Sequence, residues 1–372
     1  MKIPPSITIP LGEADALDRA TLLPKGPGVY AFRAETEIVH LGWSPRLSGR
    51  IVRLLSRRST GSTSLGDRMG DAGLFLNCWP TGSKLESSLL MYQLLRSKSP
   101  ADYRKRLRLN LPWFLALTAG DPFPRLVLMN RIPTPEHPIF GPFQSRDRAQ
   151  RYADEVLGCF ALRRCTDPLV PDPDHPGCIY GEIKQCLRPC QRAVTEQEYG
   201  TEVERVYGFL LTNGKSNLRT LTKARDEAAV ALQFEEAADL HKTIVRVKEI
   251  AKERDDLVCD ARGLTGIALT RGIGERVLRF WPMVNGLWQE PWEITADENA
   301  TPESVATRLK ESSPSMNTGR PEIEGDAADH LALLLRWYHS SWRDGEWLGL
   351  RPDRELNHRR LVKAMAKVLS DE

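Results

Sequence analysis

The stretch CTDPLVPDPDHPGCIYGEIKQCLRPC, from Cys165 to Cys190, limits what this chain can fold into more than any other. It gathers four of the seven cysteines and five prolines into one loop. Proline lacks a backbone N–H and interrupts helices and ladders, so the loop cannot be held by regular secondary structure. Twelve, seven and three residues separate the successive cysteines. None of these gaps is the CxxC spacing common in zinc fingers and ribbons. The compartment decides between disulfides and metal. The N-terminus, MKIPPSITIP, lacks the apolar core of a signal peptide. No stretch approaches the ~18 consecutive apolar residues that suggest a membrane span. A cytoplasmic chain with no membrane partner is expected, and there thiols stay reduced. Metal–thiolate bonds are the leading way to fold such a loop, with iron and zinc both open.

Charge narrows the partner. The net charge is only +3, but residues 1–110 carry 17 Lys and Arg against 9 Asp and Glu, a local balance of +8. The remainder sums to −5. A basic N-terminal part calls for a polyanion, most simply nucleic acid.

Periodicity predicts a multidomain α+β chain. GVYAFRA (28–34) and EIVHLGW (37–43) alternate as a hairpin around Glu-Thr-Glu. A helix follows, with Ser44 as its cap and Pro45 at its first position. Arg46, Arg50, Arg53 and Arg57 share one face of it. A flexible loop (59–73), a third strand (73–79) and a helix over 83–98 with a Ser83–Glu86 capping box come next. Two strands bracket GDPFP, and a helix from Arg146 leads to the cysteines. A further helix and a helical hairpin turning at Gln233-Phe234 follow them. Three short strands (264–292), a loosely ordered polar stretch (295–325) and two closing helices complete the chain. Four regions are expected: a three-stranded antiparallel sheet with flanking helices (20–110), a connecting and four-cysteine region (111–204), the hairpin (205–256) and a small α/β region (257–372).

The order GPGVY (26–30), HLG (40–42), Arg50 and Glu86 resembles the core of GIY-YIG nucleases. The likeness extends through FPRL (123–126), FGPF (140–143), LRRC (162–165), the four cysteines and QFEEAADLHKTI (233–244). Over roughly residues 20–255 the chain is similar to the N-terminal half of the UvrC family, the excision-repair nucleases of the excinuclease ABC system. The resemblance implies a DNA-repair endonuclease making a divalent-metal-dependent single-strand incision near damage in nucleotide excision repair. It implies Tyr30, His40, Arg50 and Glu86 as catalytic residues, with Glu86 on a Mg²⁺ or Mn²⁺ ion. It also implies a 4Fe–4S cluster on Cys165, Cys178, Cys186 and Cys190, with zinc the alternative. The partners implied are DNA, met by Arg46, Arg53 and Arg57, and a UvrB-like helicase, met by the hairpin at Phe234, Glu235 and Ala238.

The chemistry stands without the resemblance. A carboxylate such as Glu86 suits a hard cation, which stabilises a leaving oxygen as a Lewis acid. A planar guanidinium such as Arg50 clamps a phosphate. Each residue also has a plain structural reading: Tyr30 a strand aromatic, Glu86 a helix cap, Arg50 part of a solvated face, the hairpin a self-contained helix pair. Two positions depart from the family. His40 stands where a tyrosine is expected and Trp43 where a lysine is expected. His40 titrates in a range suited to a general base, which makes the change a compensation. Losing the lysine removes a cation, which makes it decay and leaves an impaired adaptor that binds DNA or the helicase. The C-terminal region looks like the start of an RNase H-like fold, with only Glu275, Glu290 and Glu293 near its strands. No phosphate-binding glycine loop is present, so nucleotide binding is not expected.

Overall fold

The computed structural model describes residues 5–34, 37–59, 74–118, 120–131, 139–296, 305, 307, 325–350 and 358–370. Residues 60–73 of the expected loop (59–73) and most of the expected polar stretch (295–325) lie outside these residues, as does the side chain of Arg57, while Ser59 ends a helix.

The N-terminal unit is built from β1 (Ile7–Pro10), α1 (Ala16–Thr21), β2 (Gly28–Ala34), β3 (Glu37–Ser44), α2 (Leu47–Ser59), β4 (Leu74–Pro80), α3 (Lys84–Lys98) and α4 (Tyr103–Leu107). Its antiparallel sheet runs β1-β4-β2-β3. The sheet thus has four strands rather than three. ITIP adds β1 to the far side of β4, through Ile7 opposite Cys78 and Ile9 opposite Leu76. Strand alternation sorts the two faces. Tyr30, Phe32, Leu76 and Cys78 pack against Leu47 and Ile51 of α2. Val29, Ala31 and Trp79 pack against Leu94 of α3. The helix α2 begins later than Ser44-Pro45 suggests, because the Ser44 hydroxyl accepts the Arg46 N–H (3.1 Å) and forms a local turn. The Leu47 N–H then donates to the Gly26 carbonyl (2.9 Å), seating α2 on the loop before β2.

The middle unit contains β5 (Trp113–Leu117), β6 (Leu126–Met129), β7 (Ile139–Phe143), α5 (Arg146–Leu157), the short α6 (Ile179–Glu182), α7 (Glu196–Thr212), α8 (Lys215–Val230), α9 (Phe234–Glu253) and β8 (Cys259–Asp260). The sheet order is β6-β5-β7-β8, so the chain leaves for the helices and returns to pair with β7. Tyr199, Val206 and Phe209 of α7 and Val247 and Ile250 of α9 share one core with α5 and β5. Only the base of the α8–α9 pair is anchored in this way. Val230, Leu232 and Phe234 at its tip are exposed.

The C-terminal unit holds β9 (Thr265–Arg271), β10 (Val277–Val284), β11 (Leu287–Trp288), β12 (Trp292–Thr295), α10 (Asp326–Tyr338), β13 (Gly345–Leu350) and α11 (His358–Ser370). The third strand expected from sequence is two, β11 and β12, both on β10. A strand, β13, separates the two closing helices and pairs with β9. The helix α11 covers one face. The other face, with α10, joins a large core that also takes in Leu85, Leu89, Tyr92 and Leu95 of α3. The first and last units are therefore fused through α3. Among the described residues no helix is long and apolar enough to cross a membrane.

Candidate functional site

Three of the four residues singled out in the N-terminal unit come together. Tyr30 on β2 lies opposite Gly42 on β3, and Phe32 opposite His40. Paired residues point to the same face, so Tyr30 and His40 both face α2. Their rings are 5.9 Å apart. Arg50, one turn into α2, donates its Nε–H to the Tyr30 hydroxyl at 3.3 Å. Gly42 makes room for this contact, since a Cβ there would sit 2.7 Å from the Tyr30 ring and hydroxyl. This is why a glycine follows His40-Leu41. Burial and the guanidinium charges of Arg50 and Arg106 push the His40 imidazole below its ordinary value, so it is neutral near pH 7. An open hollow of about 480 Å³ runs beside the edge strand β3, where Lys98 and Arg106 join Ile38 and Leu41. Arg46 and Arg53 are exposed on α2. Tyr30 is itself buried, at 2% exposed, so it serves to hold Arg50 in place. The half-buried Arg50 and His40 with the exposed Arg46 and Arg53 are the groups on this face that can meet a phosphodiester.

Glu86 has other partners. The Glu86 N–H donates to Ser83 Oγ at 3.1 Å, the cap expected from sequence. The return bond of the capping box goes to the Gly82 N–H, which donates to Glu86 Oε2 at 2.8 Å. Oε1 pairs with Arg279 Nη1 of β10. Burial raises the Glu86 carboxyl above the ordinary carboxylate range, and the Arg279 charge and Gly82 N–H only partly offset this. Both oxygens are engaged, so the site as it stands does not fit a divalent cation. Sequence alone cannot reveal Arg279, because its partner lies 193 residues away. The ring of Trp43, where the resemblance leads one to expect lysine, lies 6.4 Å from the ring of Trp342 in the C-terminal unit.

The four-cysteine loop is held at its start by Arg163 of LRRC. That guanidinium is buried; it pairs with Asp121, donates to the Phe123 carbonyl (2.7 Å) and reaches the Cys165 carbonyl (3.3 Å). FPRL and LRRC are thus one assembly. Burial first, then the neighbouring cysteines, raises the thiols of Cys186 and Cys190. The Arg188 N–H reaches Cys186 Sγ at 3.4 Å. Among the described residues no group of three or more His, Cys, Asp or Glu side chains is arranged to hold a metal ion. The charges of Cys165 and Cys178 nonetheless reach both Cys186 and Cys190, and four sulfur donors in one loop are the ligand type of an iron–sulfur or zinc site. Cys78, expected to be a packing residue, is fully buried with its thiol pushed up to about 12 by burial. At the hairpin tip Phe234 is 68% exposed, and Glu235 and Ala238 are exposed beside it.

The architecture defines a class: an α+β chain whose small N-terminal sheet carries a basic helix, followed by a cysteine-loop unit and a protruding helix pair. Residues 112–209 match the family model described as UvrC/Cho excinuclease, middle domain. The chain is 29% identical over 254 residues to "UvrABC system protein C" of Caulobacter vibrioides, covering 65% of this chain and 38% of that relative. It is 29% identical over 252 residues to the same-named protein of Lawsonia intracellularis, covering 66% and 40%. With that of Acidobacterium capsulatum it shares 28% over 243 residues, covering 64% and 37%. These matches make it a UvrC-like protein over about two-thirds of its length, and it spans about two-fifths of those relatives. No solved structure matches it.

Proposed function

We propose that this chain works in nucleotide excision repair, in the cytoplasm, as a UvrC-like adaptor with an impaired GIY-YIG site. It grips the DNA backbone at His40 and Arg50, the latter held by the buried Tyr30 hydroxyl, and docks on a UvrB-like helicase through the α8–α9 tip. The observation that carries this reading is the Arg279 guanidinium on Glu86, the carboxylate that incision would need. Arg50 is the phosphate clamp, and Arg46, Arg53, Lys98 and Arg106 extend the positive track along the backbone. Phe234 is the apolar anchor of the hairpin, with Glu235 and Ala238 at its rim. Cys165, Cys178, Cys186 and Cys190 hold a 4Fe–4S cluster, which closes the proline-broken loop when bound. Iron and inorganic sulfide in a brown preparation support the cluster, and zinc in a colourless one refutes it.

A second reading, an active endonuclease, is favoured by the Tyr30–Arg50 bond beside a neutral His40. In it Arg50 holds the phosphate while His40 takes a proton from water oriented by Tyr30. One experiment separates the two. Purified protein is incubated with helicase-loaded, damage-bearing duplex and Mg²⁺ or Mn²⁺, beside Glu86→Ala and Tyr30→Phe. The adaptor reading expects binding with no nicking above the Glu86→Ala background. Nicking lost in both variants establishes the endonuclease.

A further inference from the structure

The C-terminal unit carries no metal-binding carboxylate pair of its own on its strands. Among the described residues of β9 to β13 the carboxylates are Glu293 and Glu346. Glu346 is paired with Lys367, and Glu293 lies 3.3 Å from Arg279 Nη1. That same nitrogen pairs with Glu86. Two carboxylates from different units, the mostly buried Glu86 and the exposed Glu293, thus converge on one guanidinium nitrogen, whose charge offsets both. Further contacts fix the guanidinium there. The Arg279 guanidinium lies over the Trp281 ring at 4.9 Å. A Cβ on Gly82 would sit 2.4 Å from the Gly272 carbonyl carbon, so the two backbones touch. The Lys84 N–H donates to Asp344 at 2.5 Å, and Lys84 Nζ to the Trp342 carbonyl at 3.3 Å. Behind these contacts lies the shared apolar core of α3, β10, α10 and β13. Such a joint is backed by the core and is not a lid.

We propose that the C-terminal unit is a built-in replacement for a divalent cation: Arg279 occupies the point between Glu86 and Glu293, and the nuclease-like site holds no metal there. This deepens the adaptor reading, resting on Glu86 being the carboxylate of that site, and assigns the C-terminal unit a role. Removing the guanidinium leaves two oxygen ligands facing one gap, the donor type that hard divalent cations prefer.

The test is Mn²⁺ binding to the full chain, read by loss of the free-ion paramagnetic resonance signal, with Arg279→Gln, Glu86→Gln and the double variant. The native chain is expected to show no binding that Glu86→Gln removes. Arg279→Gln is expected to gain at least tenfold in Mn²⁺ affinity, and the added Glu86→Gln to abolish the gain. A folded Arg279→Gln chain without the gain overturns the proposal. So does Glu86-dependent binding by the native chain, which needs no variant at Arg279. DNA affinity measured without divalent metal tests the adaptor reading separately, because its loss leaves the Mn²⁺ result standing.

Discussion

The two halves of the candidate site solve opposite problems with the same residue type. On α2, Arg50 meets the Tyr30 hydroxyl rather than a carboxylate and stays half-exposed. Thirty-odd residues on, Glu86 meets Arg279 in a half-dry joint where both charges are consumed by each other. An arginine beside a phenol keeps a charge that an anion can meet, whereas an arginine on a buried carboxylate has spent it. The distinction predicts that the two halves fail differently when altered.

The largest effect belongs to the closed half. Arg279→Ala leaves Glu86 in a low-dielectric site without its partner, a change that costs about 3–5 kcal/mol in comparable cases. A clear fall in the denaturant midpoint is expected, with part of it recovered by adding Glu86→Gln. The two substitutions are then non-additive, as expected for groups in contact. A midpoint within error of the native chain breaks the comparison, because it makes Arg279 as dispensable as a rim residue.

Two glycines sharpen it next. Gly82→Ala drives a methyl into the Gly272 backbone, which cannot rotate away, and overpacking of this kind costs about 1–3 kcal/mol. Gly42→Ala meets the Tyr30 ring and hydroxyl first, at 2.7 Å. The first is expected to lower stability with DNA affinity intact. The second is expected to displace Tyr30 from Arg50 and weaken DNA binding more than folding. Fluorescence anisotropy on a labelled duplex and a urea melt on each variant read both quantities.

How far the sequence discloses this division follows from range. The hairpin β2–β3, the helices after it and the turn at Gln233 rest on local periodicity and capping, and the residues announce them. The convergence of Tyr30, His40 and Arg50 follows from cross-strand pairing with one following helix, a span of some twenty residues. The edge strand ITIP stays silent because four residues carry too little alternation. GEWLGL hides between two helical patterns because its strand character depends on pairing with β9 far upstream. Arg279 lies beyond reach for the same reason. Nothing around VLRFWPMV signals that one of its side chains will meet α3. Glu86 reads as a cap, and it is one, but its second partner is a property of the assembled core.

The open half should respond to salt. Arg50→Ala is expected to weaken DNA binding about equally across sequences, since phosphate contacts carry no base information. It should also flatten the slope of log affinity against log salt by about one. An equal loss for Glu86→Ala, measured at the same salt, would show that the carboxylate reaches the DNA after all and that the halves are one.

The smallest effect is a pH dependence whose sign differs between the free and the bound chain. In the free chain, burial and the charges of Arg50 and Arg106 hold the His40 imidazole below its ordinary value. The unfolded chain then binds more protons than the folded one between the folded value and about 6.5. The stability contribution is complete above about 6.5 and is lost as the pH falls toward the folded value. A phosphate on the rim reverses the field that His40 feels, favours the imidazolium and adds a charge-assisted contact. Lowering the pH from about 7.5 to about 5.5, across that range, is therefore expected to destabilise the free chain slightly while tightening its grip on DNA. His40→Gln should flatten both trends. Tightening that persists in His40→Gln would place the titrating group elsewhere on the rim, and would leave His40 a packing neighbour of Tyr30 and Phe32.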